Sequence, residues 1–173
     1  MDKQMEYIFV GDTGLLRLVK AEWKGYCIRS VADIEYWIKK TNQKPDGNSE
    51  ITATFIIDLE YSLLINDRHS EHVVCAAGEN VLSAGEITFE LDKNKSYLIS
   101  QITNQSTGYC PSPKSWSAVK YTLEKVGIPF SDFFTVSFEF RICSTCGWIN
   151  VIKDNYFVCI NSECQNPLSA HEN

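Results

Sequence analysis

Four cysteines near the C-terminus constrain the fold of this chain more than any other feature. Cys143-Ser-Thr-Cys146-Gly147 is followed, after a hairpin-length gap, by Cys159 and Cys164. Two thiolates separated by two residues point into one tetrahedral site, and the glycine after the second relieves the tight turn. The second pair has four intervening residues, still inside the spacing that zinc ligands use, and Trp148 to Val158 supplies the hairpin between the pairs. One zinc ion held by Cys143, Cys146, Cys159 and Cys164 is therefore expected. Four thiolates close the tetrahedron and leave no place for water, so the expected role is structural. The hairpin has too little apolar area to fold unaided, and the metal supplies on the order of 10 kcal/mol to it.

The rest of the chain reads as α+β. Ser30 and Asp33 resemble a capping box, and Val31, Ile34, Trp37 and Ile38 recur at helical spacing as far as Thr41. A second helix starts at Ser115, carries Trp116, Val119, Leu123 and Val126 on one stripe, and stops at Gly127 and Pro129. From Ile51 to Asn104, short runs rich in Val, Ile, Thr, Phe and Tyr alternate with turn residues, which predicts an antiparallel β-meander sheet packed by the two helices. A hairpin is expected around Gly11-Asp12-Thr13-Gly14, and Pro45-Asp46-Gly47-Asn48 is turn chemistry. Phe134, Val136, Phe138, Phe140 and Ile142 alternate with Thr135, Ser137, Glu139 and Arg141, which predicts a one-sided buried strand that runs into Cys143 and makes the ribbon continuous with the sheet. This gives one α+β domain over residues 1–140 and a ribbon with a short tail over 141–173. Asn161 to Glu163 and the tail after Pro167 are expected to be exposed.

Composition narrows the function classes. The 173 residues are 44% hydrophobic and 22% charged, the mix of a chain that packs a core. A net charge of −6, with sixteen scattered basic residues, argues against a nucleic-acid partner, which needs clustered Lys and Arg on phosphates. Met1 to Tyr7 lacks the basic start and apolar run of a secretory signal, and no run approaches a membrane span. A soluble, cytoplasmic protein follows, its cysteines reduced or metal-bound, with Cys27, Cys75 and Cys110 outside the zinc set.

Two polar segments are the candidate site. Asp67-Arg68-His69-Ser70-Glu71-His72 concentrates ionisable groups in a chain with three histidines. His69, His72 and Cys75 have metal-competent chemistry, but a turn running into a strand sends alternate residues apart. Gly85, inside a strand pattern beside Glu86, marks a bulge or close backbone approach. Thr103 to Pro111 is a loop of hydroxyls and amides leading into a helix.

Arg68-His69-Ser70-Glu71-His72, Ala84-Gly85-Glu86-Ile87-Thr88-Phe89, Asn104-Gln105-Ser106-Thr107-Gly108-Tyr109-Cys110-Pro111 and the Phe140-Arg141-x-Cys143-x-x-Cys146 ribbon resemble an uncharacterised family of bacterial proteins over roughly residues 52 to 168. The order His-Ser, Ala-Gly-Glu, Ser-x-Gly-Tyr-x-Pro is also similar to a segment of the plant calmodulin-binding IQM proteins. Thr107 is an extra residue in that pattern, and the chain has no IQ helix, so the resemblance implies no calmodulin partner.

Two functions fit. One is a non-catalytic protein that binds a small ligand or a protein partner through the loops at 67–72 and 103–111, using Arg68, Ser70, Asn104, Ser106 and Thr107. The other is an enzyme, a transferase on a nucleotide-type substrate, in which His69 is acid or base, Glu86 orients it or takes a proton, and Tyr109 with Ser106 binds substrate. Histidine, glutamate and tyrosine occur together in one class of ADP-ribosyl-transferring enzymes, and that analogy makes a nicotinamide dinucleotide the first ligand to try. No nucleophile elbow, phosphate-binding loop or dinucleotide fingerprint is present.

Overall fold

The computed structural model describes residues 5–170; residues 1–4 and 171–173, the outer parts of the N-terminal segment and of the tail, lie outside it. Helix α1 (Val31–Lys40) begins as its sequence dictates: the Asp33 carboxylate accepts from the backbone N–H of Arg29 and of Ser30, both at 2.9 Å, which satisfies donors that the first turn leaves orphaned. Those hydrogen bonds, the Arg29 N–H first among them, hold the Asp33 carboxyl below its ordinary value of 3.8. Ile34, Trp37 and Ile38 form its buried stripe.

The sheet contains β1 (Tyr26–Ile28), β2 (Ile51–Ile57), β3 (Leu63–Asp67), β4 (Ser83–Leu91) and β5 (Tyr97–Ile102), antiparallel throughout, in the order β1-β3-β2-β4-β5. A plain meander would pair β3 with β4. Here β2 takes both neighbours, because the one-turn helix α2 (His72–Cys75) and the loop after it carry the chain back across one face. Ala53, Phe55, Ile57, Ile65, Ile87 and Phe89 point to the opposite face, where α1 and helix α3 (Trp116–Val126) cover them. Each large apolar side chain buried there contributes about 1.5–3 kcal/mol.

Helix α3 departs from its expected start. Ser115 has helical backbone angles; the capping oxygen belongs to Ser112, which accepts from Lys114 N–H at 3.1 Å and opens a short 3-10 turn that leads into α3. Gly127 ends the helix in the left-handed region, φ +74°, donating to the Leu123 carbonyl.

The hairpin expected at Gly11–Gly14 does not form. Asp12 caps a 3-10 helix, Thr13–Leu18, by accepting from Gly14 N–H at 2.8 Å, and Tyr7 makes a single antiparallel bridge to Val81. An aspartate such as Asp12 serves an N-cap as well as a hairpin turn.

The strand expected over 134–142 is reduced to β6 (Phe140–Ile142), which pairs with β7 (Ile149–Val151) as a separate two-stranded sheet. Residues 129–136 run instead along the outer edge of β5. Ile99 N–H donates to the Pro129 carbonyl at 2.9 Å, Thr135 N–H to the Ile102 carbonyl at 2.9 Å, and Thr103 and Val136 form a parallel bridge. Val136, expected inside, is 48% exposed, whereas Arg141, expected outside, is 2% exposed. The Arg141 guanidinium donates to the carbonyls of Ser169 (2.9 Å), Phe140 (2.8 Å) and Ala170 (3.2 Å) and pairs with Glu139. The tail expected to be exposed is thus partly fastened: Leu168 is buried against Cys143 and Cys159. Asn161 is half-buried, with Ser162 and Glu163 exposed. No helix among the described residues is long and apolar enough to cross a membrane.

Candidate functional site

The hairpin β6–β7 and the loop beyond it bring the four C-terminal cysteines together. At the first knuckle, Gly147 adopts φ +74° and returns a hydrogen bond to the Cys143 carbonyl at 2.8 Å. The second closes similarly: Cys164 N–H and Gln165 N–H both donate to the Asn161 carbonyl, at 2.9 and 3.0 Å. The four Sγ atoms lie within 4.8 Å of one another, with Cys143 and Cys164 at 3.7 Å and Cys146 and Cys159 at 3.6 Å. Cys143 and Cys159 are buried, and the backbone N–H groups of Cys146 and then Thr145 pull the Cys143 thiol down to about 6, so that it ionises near neutral pH. This set can hold a metal ion, and among the described residues it is the one group of three or more His, Cys, Asp or Glu side chains that can.

The other cysteines and the histidine cluster serve different ends. Burial pushes the thiols of Cys75 and Cys110 up to about 12, and they donate to the carbonyls of Leu64 and Thr107. His72 stands on α2, where a strand was expected, and its Nε2 donates to the Gly85 carbonyl at 2.9 Å. Four helical residues are too few for a periodicity to show in sequence.

His69, Glu86 and Tyr109 do not share one concavity. His69 is on an exposed turn, its backbone N–H bound to Asp67. Tyr109 is buried in the core beneath the second face of the sheet, its hydroxyl donating to the Glu79 carbonyl at 2.7 Å. Burial raises its ionisation well above the ordinary value of 10, which keeps it protonated. It borders an apolar cleft of about 180 Å³ beside Tyr7 and Arg141. Glu86 lies on β4 beside Arg68, carboxylate to Nε 3.4 Å, and lines a different depression.

The residues expected to bind ligand divide likewise. Asn104 is fully buried and committed to structure, donating to the carbonyls of Pro111 and Phe138 and accepting from Phe138 N–H, all at 2.7 Å. Ser106 is buried and accepts from Tyr109 N–H. Thr107 is exposed, and the Ser70 carbonyl accepts from the Thr54 hydroxyl at 3.1 Å. Arg68 is half-exposed at the rim of the Glu86 depression.

That depression, about 170 Å³, has a floor that the sequence reading missed: Thr52, Thr88 and Gln101 share the face of Glu86 on neighbouring strands, with Glu50 at the edge. The Thr52 and Thr88 hydroxyls bond each other at 2.9 Å, and Ser100 Oγ, in the β4–β5 bulge, donates to Glu50 at 3.0 Å. Alternation within β2 carried the signal, since Thr52 and Thr54 interleave with Ile51, Ala53 and Phe55. Gly85 admits the close approach that its place in a strand suggested: a Cβ there would stand 2.0 Å from the Thr103 carbonyl oxygen.

No protein-family model, curated protein or solved structure matches the chain. The roles of these residues therefore rest on geometry.

Proposed function

We propose that the cysteine hairpin binds one structural zinc ion and that the chain is a non-catalytic, cytoplasmic binding protein. The observation that carries the zinc assignment is the spacing of the sulfurs. A tetrahedron with Zn–S bonds of about 2.3 Å has edges of about 3.8 Å, and the two sulfur pairs stand at 3.7 and 3.6 Å. Thiolates favour zinc over harder cations, and four of them leave no coordination position for a substrate. Its chemistry is to join two knuckles and to fold the hairpin.

The ligand site we assign is the polar depression over β2, β4 and β5. Inner strands ordinarily need cover, and half of this face has it from α2 and Tyr109. The other half carries Thr52, Glu86, Thr88 and Gln101, which can offer hydroxyl, amide and carboxylate groups to a small polar ligand, with Arg68 at the rim. A protein partner is the other occupant that fits such a surface.

Metal analysis of the purified protein tests the first assignment: one zinc per chain is expected, and none overturns it. Amide chemical-shift mapping against polar small molecules, sugars and nicotinamide dinucleotide tests the second. Shifts confined to β2, β4 and β5 and lost in Gln101→Ala with Arg68→Ala are expected, whereas shifts centred on the Tyr109 cleft overturn it.

A further inference from the structure

Three asparagine side chains in the cysteine hairpin turn their amide nitrogens toward three of the four sulfurs. Asn150 Nδ2 is 3.8 Å from Cys159 Sγ, Asn161 Nδ2 is 3.8 Å from Cys146 Sγ, and Asn166 Nδ2 is 3.3 Å from Cys164 Sγ. The first two are exchanged across the site. Asn150 follows the Cys143–Cys146 knuckle and reaches a sulfur of the second knuckle, while Asn161 belongs to the second and reaches a sulfur of the first. The sulfurs so reached are the pair 3.6 Å apart. Cys143 is the sulfur that these three amides do not reach.

For Asn150 and Asn161 the amide orientation is set by the opposite atom of the group. Asn150 is 1% exposed; its Oδ1 accepts from Ile160 N–H at 2.9 Å, which directs its NH2 to the Trp148 carbonyl and to sulfur. Asn161 Oδ1 accepts from Glu163 N–H at 3.1 Å, which again leaves the NH2 facing sulfur. With the oxygens committed to donors, the nitrogen positions follow from the hydrogen-bond network.

Four thiolates around one divalent ion carry two net negative charges, and donors around the ligand atoms disperse that charge and fix the ligands. A neutral amide does so without entering the metal's coordination shell. An aspartate of the same shape would place an acceptor against sulfur instead.

We propose that Asn150, Asn161 and Asn166 are positioning residues that stabilise the metal-bound thiolates through N–H···S bonds, so that this centre keeps its ion rather than passing it on. The inference rests on the zinc reading above and deepens it. One consequence is slow transfer of the ion to a competing chelator. Another is that the electron density at sulfur depends on the asparagines.

Asn161 gives the cleanest test, because Asn161→Asp retains the oxygen that accepts from Glu163 N–H and exchanges the donor facing Cys146 for a charged acceptor of the same shape. Asn166→Asp is the second variant, at a position outside the buried core. Each full-length chain is loaded with Co²⁺ alone and its sulfur-to-cobalt charge-transfer band recorded, after which Co²⁺ and Zn²⁺ affinities and the rate of loss to a chelator are measured. The band is expected to move to lower energy, and affinity to fall about 10-fold or more, with faster loss and unchanged circular dichroism. Folded variants whose band and affinity both match the parent overturn the proposal. So does weakened binding with an unmoved band, which assigns the asparagines to local packing. A parent protein that takes up no Co²⁺ overturns the metal centre itself, whereas a parent that binds it with a band insensitive to Asn161 and Asn166 overturns this inference alone.

Discussion

Asn104 and Phe138 are joined as two paired strand residues would be: Asn104 Nδ2 donates to the Phe138 carbonyl and Phe138 N–H donates to Asn104 Oδ1, both at 2.7 Å. A side chain thus does the work of a backbone ladder between the end of the sheet and the segment entering the cysteine hairpin. Asn104→Ala orphans Phe138 N–H and the Pro111 carbonyl at once. Each buried polar group left unmade costs about 1–3 kcal/mol, so a loss of about 3 kcal/mol is expected in urea denaturation, with an unchanged m-value.

Gly85 on β4 has no room for a side chain. A methyl group there meets the Thr103 carbonyl oxygen at 2.0 Å and Asn104 Cα at 3.1 Å, backbone atoms that cannot swing aside. Gly85→Ala is expected to destabilise by about 3 kcal/mol or more, read as a lower melting temperature, whereas Gly47→Ala, where a Cβ meets nothing within 4 Å, should cost far less.

Stripping the proposed metal with a chelator should separate the two halves of the molecule. Amide protection is expected to vanish around Cys143, Asn150 and Cys159 while β2 and β4 keep theirs, because those inner strands are held by the apolar core of α1 and α3. Hydrogen exchange with and without chelator checks this; equal loss in β2 and β4 would refute it.

Stability should fall as the medium is acidified from neutrality, and His72 is one cause. Its imidazole is buried while the residue keeps some surface, and that burial, outweighing the hydrogen bond to Gly85, holds its ionisation below 6.5. The unfolded chain then takes up a proton near 6.5 that the folded chain refuses. The contribution is fully present above 6.5 and is lost as pH drops through that value toward the lower folded one. The slope is at most about 1.4 kcal/mol per pH unit. His72→Gln should flatten it between pH 7.5 and 5.5 in denaturation midpoints, and an unchanged slope would show that His72 is not responsible.

What the sequence announces is what neighbours in the chain decide. Ser30 with Asp33, the apolar spacing of Ile34, Trp37 and Ile38, the stop at Gly127 and the antiparallel sheet are all present as read. The cysteine spacing led to sulfurs within 4.8 Å. Contacts between distant segments were not legible. Strict alternation put Arg141 in water, but β6 is three residues long and the carbonyls of Ser169 and Ala170 claim the guanidinium. Asn104 and Ser106 looked like ligand groups because amides and hydroxyls in a loop have that chemistry; their partners turned out to be this chain's own backbone. The polar floor of Thr52, Thr88 and Gln101 depends on β2 pairing with β4, an order that no local pattern states.

The segment lying along the outer side of β5 has a further effect. With Ile99, Ile102 and Thr103 already bonded to Pro129, Thr135 and Val136, that margin of the sheet offers little to a foreign strand. Lateral growth, whether by aggregation or by recruiting an extended peptide, is steered to the opposite margin, where Tyr26, Cys27 and Ile28 present a template only three residues long.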